Sequence, residues 1–218
     1  MLKLQIISLL FLLAIGASFA NLPSPPQDKL AVLEAGELVL VSSREKSKET
    51  WPHVSMWKYV ECEPRNCFLI FSDFEAHKTF VKDLVFSNTR YVSDTEIHVD
   101  FRLKVPWPIK KSDSTSGHYL KKIGDSYQVD WFFVRGDDTS DTKGFVNFRK
   151  VKGKTLMTYI NHVTPNSVFA GLFSNRVVND MRATVEAFDT RFKQLGTKKD
   201  YLDLVAKKLA RTLKVIEK

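Results

Sequence analysis

The chain has 218 residues, 44% of them hydrophobic and 27% charged, which is the balance of an ordinary globular protein with room for a signal segment and one sizeable domain. The formal charge is +8, concentrated near the C-terminus, where Lys198, Lys199, Lys207, Lys208, Arg211, Lys214 and Lys218 face only Asp200, Asp203 and Glu217. For an exported protein, such a surface suits an anionic membrane and excludes nucleic acid as the natural partner.

Export is expected from the first twenty residues. Lys3 precedes an apolar run over residues 4–15, and Ser18 and Ala20 match a small-residue cleavage site, so residues 1–20 read as a signal peptide and the mature chain as periplasmic or secreted. The run is too short to span a bilayer as a stop-transfer helix. Residues 21–30, with Pro23, Pro25 and Pro26, read as a linker, overlapping a short helix over 28–34 that Gly36 ends. Strands are expected at 37–43 and 54–61.

Between these elements and the next helices lie the only two cysteines, Cys62 and Cys67. In an oxidising compartment they are expected to form a disulfide, whose short loop adds about 2 kcal/mol on the chain-entropy model. The alternative is that Cys67 is a small buried hydrophobe and Cys62 stays unpaired. Over residues 64–81 the period becomes helical, and Ser72 with Glu75 reads as a capping box, so two short helices should meet at Ser72–Asp73. Asp73, Glu75 and His77 do not make a metal site, because alternate residues on a helix diverge.

From 82 to 163 the period is two. Residues 95–105 are the clearest strand: Ile97, Val99, Phe101, Leu103 and Val105 face a covered side, and His98 lies on the wet side. Further strands are expected at 84–92, 118–123, 127–135, 143–150 and 155–163, joined by short turns as an antiparallel meander. Residues 167–193 then carry one apolar stripe (Phe169, Phe173, Val177, Met181, Thr184, Phe188, Phe192) along a helix of roughly 40 Å. Gly196 lies just past its end. Residues 197–217 form a basic amphipathic helix with Leu202, Val205, Leu209, Leu213 and Ile216 on one side. That helix either packs on the domain edge or meets a membrane or partner.

Specific residues sharpen this order. The run Cys67-Phe68-Leu69-Ile70-Phe71-Ser72-Asp73-Phe74-Glu75-Ala76-His77 resembles a stretch of the START-like superfamily of polyketide cyclases, coenzyme Q-binding proteins and the birch-pollen allergen type. Lys104-Val105-Pro106-Trp107-Pro108-Ile109 is similar to that superfamily's proline loop, and the segments 131–136, 144–148 and 155–159 resemble its late strands. Lys110-Lys111-Ser112-Asp113 departs from the usual arginine–aspartate pair after the loop. The resemblance covers about residues 37–192. It implies an α+β helix-grip fold over 31–195, a curved antiparallel sheet wrapped around the long helix, with residues 196–218 appended. It also implies a hydrophobic ligand, such as a lipid, quinone or polyaromatic, in the gap between sheet and helix.

On that basis Phe101, Leu103, Trp131, Phe133, Tyr159, Phe169, Phe173, Val177 and Met181 are the candidate ligand contacts, with Phe188 and Phe192 as anchors. Trp107 and Ile109 are the candidate portal. Gly153-Lys154-Thr155 is not a phosphate loop, since Phe148 stands where its first glycine belongs. No cofactor or metal is expected, and the protein should be a monomer. The expectation is a non-catalytic carrier. The alternatives are a cyclase- or hydrolase-like enzyme using His162, Tyr159 or Asp130, or an interaction module docking through its C-terminal helix.

Overall fold

The computed structural model describes residues 22–44, 50–104, 112–166, 171 and 174–218. The period-two segments pair into one antiparallel sheet of eight strands: β1 (Val39–Ser43), β2 (His53–Val60), β3 (Leu84–Tyr91), β4 (Glu96–Leu103), β5 (Ser112–Ile123), β6 (Ser126–Gly136), β7 (Thr139–Val151) and β8 (Lys154–Pro165). Strands β3 to β8 form a meander, and β2 then pairs with β8, giving the order β1-β2-β8-β7-β6-β5-β4-β3. Strand β5 starts at Ser112, six residues before the expected start, because its first inward positions are serines that hide the alternation.

The helices are α1 (Leu30–Glu34), α2 (Pro64–Ser72), α3 (Ser174–Leu195), α4 (Lys199–Lys208) and α5 (Ala210–Ile216), with a 3-10 turn at Gln27–Lys29 and another at Phe74–Thr79. Pro64 opens α2 at a position whose amide has no helical partner. The two elements meet at Asp73 as expected, but not through a capping box. The Ser72 hydroxyl is buried without a partner among the described residues, and Glu75 accepts instead from Thr89 on β3, at 3.4 Å from N and 3.0 Å from Oγ1. Asp73, Glu75 and His77 do diverge, each to a separate partner.

One face of the sheet carries the main core. Leu120, Val129 and Val146, side by side on β5, β6 and β7, are all fully buried and continue into Tyr159 on β8 and Met56 on β2. Phe68, Phe71 and Phe74 cover them from α2 and its following turn, and Phe188 and Phe192 from α3. The opposite face has a small cluster of Leu33, Val39, Trp57 and Leu156 under α1. There the Trp57 indole donates to the Pro23 carbonyl at 2.9 Å, so the proline-rich segment lies against the sheet instead of hanging free.

The expected single helix over 197–217 is two, with the chain turning at Leu209. Its apolar stripe is not left for a membrane: Val205, Leu209 and Leu213 are buried in the main core. Helix α4 packs on α2 and α5 on β5, and the turn at Leu209 re-aims the chain between them. Asp73 accepts from the Tyr201 hydroxyl and the Lys208 ammonium, both at 2.9 Å, which fixes α4 at the α2 junction. Glu217 accepts from Arg65 and Tyr127, and Arg211 pairs with Asp94.

The expected Cys62–Cys67 disulfide is not formed, and both are free thiols. Cys67 is wholly buried in α2, where burial pushes its thiol pKa up. Cys62 is packed against the backbone of Gly196, whose missing Cβ would lie 2.8 Å from the sulfur. The expected signal segment lies outside the described residues. Among the described residues, no helix is long and apolar enough to cross a membrane.

Candidate functional site

Strand pairing places the residues of the gap. A row across the sheet reads Ile97 on β4, His118 on β5, Trp131 on β6, Gly144 on β7 and Asn161 on β8. Because Gly144 has no side chain, the Trp131 ring crosses over it and donates its Nε1 hydrogen to Asn161 Oδ1, at 2.9 Å. A Cβ at Gly144 would stand 2.7 Å from that ring and 2.1 Å from the Ile160 carbonyl oxygen. The row beyond, toward the start of α3, holds Val99, Ser116 and Phe133.

Above these rows the sheet and α3 separate, leaving a cavity of about 290 Å³. Phe101, Leu103, Trp131, Phe133 and Tyr159 line it, and Thr184 and Phe188 of α3 close it from above. Phe188 is therefore wall as well as anchor, whereas Phe192 is core alone. Val177 and Met181 do not border the cavity. The Met181 sulfur lies 3.7 Å from Asn161 Nδ2, and Val177 is half-buried one turn further toward the helix start. Met181 and Val178 pack against the main core instead. Phe169, Phe173, Trp107 and Ile109 lie outside the described residues.

The ring contacts make one continuous wall. Phe71 lies 4.6 Å from Phe188 and 6.4 Å from Trp131, and Trp131 lies 5.2 Å from Tyr159, centroid to centroid. Phe74 lies 4.5 Å from His118. Titratable groups in this wall are held uncharged. Burial lowers His77 to about 4, against the hydrogen bond it makes at 2.7 Å to the Phe71 carbonyl, a contact in which Nε2 must be the donor. Burial lowers His118 to about 3 and pushes the Tyr159 phenol well up.

His162 and Asp130, candidates for acid–base work, belong to the other face. Strand parity turns Tyr159, Asn161 and Val163 inward and His162 outward, where it stacks on His53 at 3.8 Å. Asp130 is engaged by Lys121 and Gln128. Among the described residues, no group of three His, Cys, Asp or Glu side chains could hold a metal. Sequence reasoning passed over Asn161, Gly144 and the inward serines of β5, since each gains meaning only from strand register.

No family model matches the chain, and no curated protein matches it. Solved structures do. A STAR-related lipid transfer protein from Xanthomonas axonopodis is similar at a TM-score of 0.64 and 17% identity, over 72% of this chain and 93% of that one. Human STARD10 follows at 0.54 and 13%, over 88% and 91%, and the lipid transfer and protein localization domain of human StarD13 at 0.55 and 13%, over 79% and 98%. The eight-stranded antiparallel sheet gripping a long C-terminal helix is the START-like helix-grip fold.

Proposed function

We propose that this protein binds and carries a hydrophobic ligand in the cavity between the sheet and α3. The supporting observation is the cavity itself: a space of about 290 Å³ between the sheet and α3, walled by aromatic rings and interleaved with hydroxyl, imidazole and amide groups. The START-like fold is consistent with this, since solved proteins of similar fold carry lipid-transfer names. The N-terminal signal pattern supports an exported carrier, and the lysines exposed on α4 and α5, Lys207 and Lys214 among them, support loose electrostatic contact with an anionic membrane. Release and uptake would use the end of the cavity bounded by Leu103 and Ser112.

The test is extraction of the purified protein with organic solvent, followed by mass spectrometry of the extract. A stoichiometric hydrophobic compound is expected. A protein that yields none, and that takes up no hydrophobic probe, overturns the reading. Enzymatic turnover has less support, because His162 and Asp130 lie on the far face of the sheet.

A further inference from the structure

One wall of the cavity breaks the rule the others follow. Along β5 the cavity-lining side chains at every second position are Ser112, Ser114, Ser116 and His118. A covered sheet face ordinarily carries Val, Ile or Leu there. The cross-strand neighbours do follow the rule: Leu103, Phe101, Val99 and Ile97 on β4, and Phe133 and Trp131 on β6. A polar ladder therefore runs down the middle of an apolar wall.

A cavity-lining hydroxyl that no protein group hydrogen-bonds is left to water or to a ligand. Ser112 is engaged by Asp138. Among the described residues, nothing hydrogen-bonds the hydroxyls of Ser114 and Ser116, nor that of Tyr159 on β8. These three groups open on the cavity from two sides.

Among the described residues, no Lys, Arg, Asp or Glu lines the cavity, and its two histidines, His77 and His118, are held neutral by burial. Asp138 engages Ser112 at the end of the ladder, while Arg102 with Asp113 and Arg135 with Asp100 sit on the outer face of β4 to β6 and are paired there. A carboxylate or phosphate inside would lose its water and meet no countercharge from the described lining residues. Size restricts the ligand further, since 290 Å³ is about ten water volumes.

We propose that the ligand is an uncharged, compact hydrophobe of on the order of ten to fifteen non-hydrogen atoms, bearing hydroxyl or carbonyl oxygens that Ser114 and Ser116 on one wall and Tyr159 on the other hydrogen-bond. A fatty acid or diacyl phospholipid would bring a charge that no described lining residue balances. This rests on the carrier reading above and names its ligand class.

Equilibrium dialysis of the purified protein at pH 7 against 2-naphthol, 2-methylnaphthalene and 2-naphthoate tests it. The three share a ring system and differ in one substituent: a hydroxyl, neutral at this pH as a tyrosine phenol is, a methyl group, and a carboxylate. Naphthol should bind about tenfold or more tighter than methylnaphthalene, the worth of one or two hydrogen bonds, and naphthoate weakest. In Ser114→Ala/Ser116→Ala, naphthol should fall to the affinity of methylnaphthalene, whose own binding stays unchanged. The thermal midpoint of that variant should equal or exceed the parent's, whereas serines with a purely structural role would lower it.

Naphthoate binding as tightly as naphthol, or a double variant that keeps the preference for naphthol, overturns the proposal. Failure of all three probes also overturns it. If the solvent extract then contains a charged or diacyl lipid, the carrier reading survives with a different ligand. If the extract is empty, both fall.

Discussion

Gly144 is the residue on which the cavity wall turns. It lies between Trp131 and Asn161 in one sheet row, and its bare backbone lets the indole reach across to the amide. Gly144→Ala would drive a methyl group against both the ring and a carbonyl oxygen. The expected outcome is a loss of about 2–3 kcal/mol in denaturant unfolding, as for overpacked cores, together with weakened ligand binding as Trp131 is displaced. Two buried histidines give a second prediction. Each has a folded pKa below its unfolded value, so the unfolded chain takes up protons first as pH falls. The stability they contribute is complete above about pH 6.5 and is lost as pH falls toward about 4 for His77 and about 3 for His118. Each should cost about 1 kcal/mol per pH unit in that window. Urea midpoints measured at pH 7 and pH 4.5 should show the decline, and His118→Phe should flatten it. A third concerns Lys58 and Asp189, an ion pair at 3.6 Å between β2 and α3 with side chains only 12% and 10% exposed. Asp189→Ala would leave the Lys58 ammonium enclosed, with the Gly36 carbonyl as its remaining hydrogen-bond partner. A drop of about 2–4 kcal/mol is expected, larger than for an exposed pair.

At the scale of elements, the two C-terminal helices are part of the core. Full burial of a Val or Leu side chain is worth about 1.5–3 kcal/mol, so Val205, Leu209 and Leu213 together approach the whole stability of an ordinary domain. Deletion of residues 197–218 is therefore expected to abolish cooperative unfolding, read by circular dichroism, rather than release a partner from an intact domain. Leu209→Ala should cost about 2–4 kcal/mol on its own. The periodicity of 202–216 was legible in the sequence, but periodicity marks an apolar stripe without saying what covers it. Asp73 shows the same limit. Its place in a familiar run was plain, while its bonds to Tyr201 and Lys208 depend on where α4 lies.

At the scale of the whole molecule, the order of elements and the strand count were readable because each apolar segment keeps one period and ends at a turn residue. Gly124 and Gly153, for example, take positive φ of 56° and 79° between β5 and β6 and between β7 and β8. The cavity was readable only in part. Phe101, Leu103, Trp131, Phe133 and Tyr159 could be placed on it by alternation along their strands. Val177 and Met181 could not, because a helical stripe is wider than the gap it covers and, among its described residues, Thr184 and Phe188 are the ones that stand over it. Inward serines went unseen for the opposite reason, since they carry no hydrophobic signal and β5 reads as loop until His118. The outward turn of His162 needed register, which no single strand supplies.

The burial of the last helices also has a consequence for how the protein is made. Residues near position 213 complete a core whose other side is built from β2, near position 56, so the native packing closes across almost the length of the chain. A ribosome that has not yet released those final helices holds a domain in which α2 and β5 still lack their last covering. Nascent chains halted before α4 should stay protease-sensitive and bound by holding chaperones, and resistance should appear only once α5 has emerged. Such a chain is kept from its native packing until synthesis is nearly over.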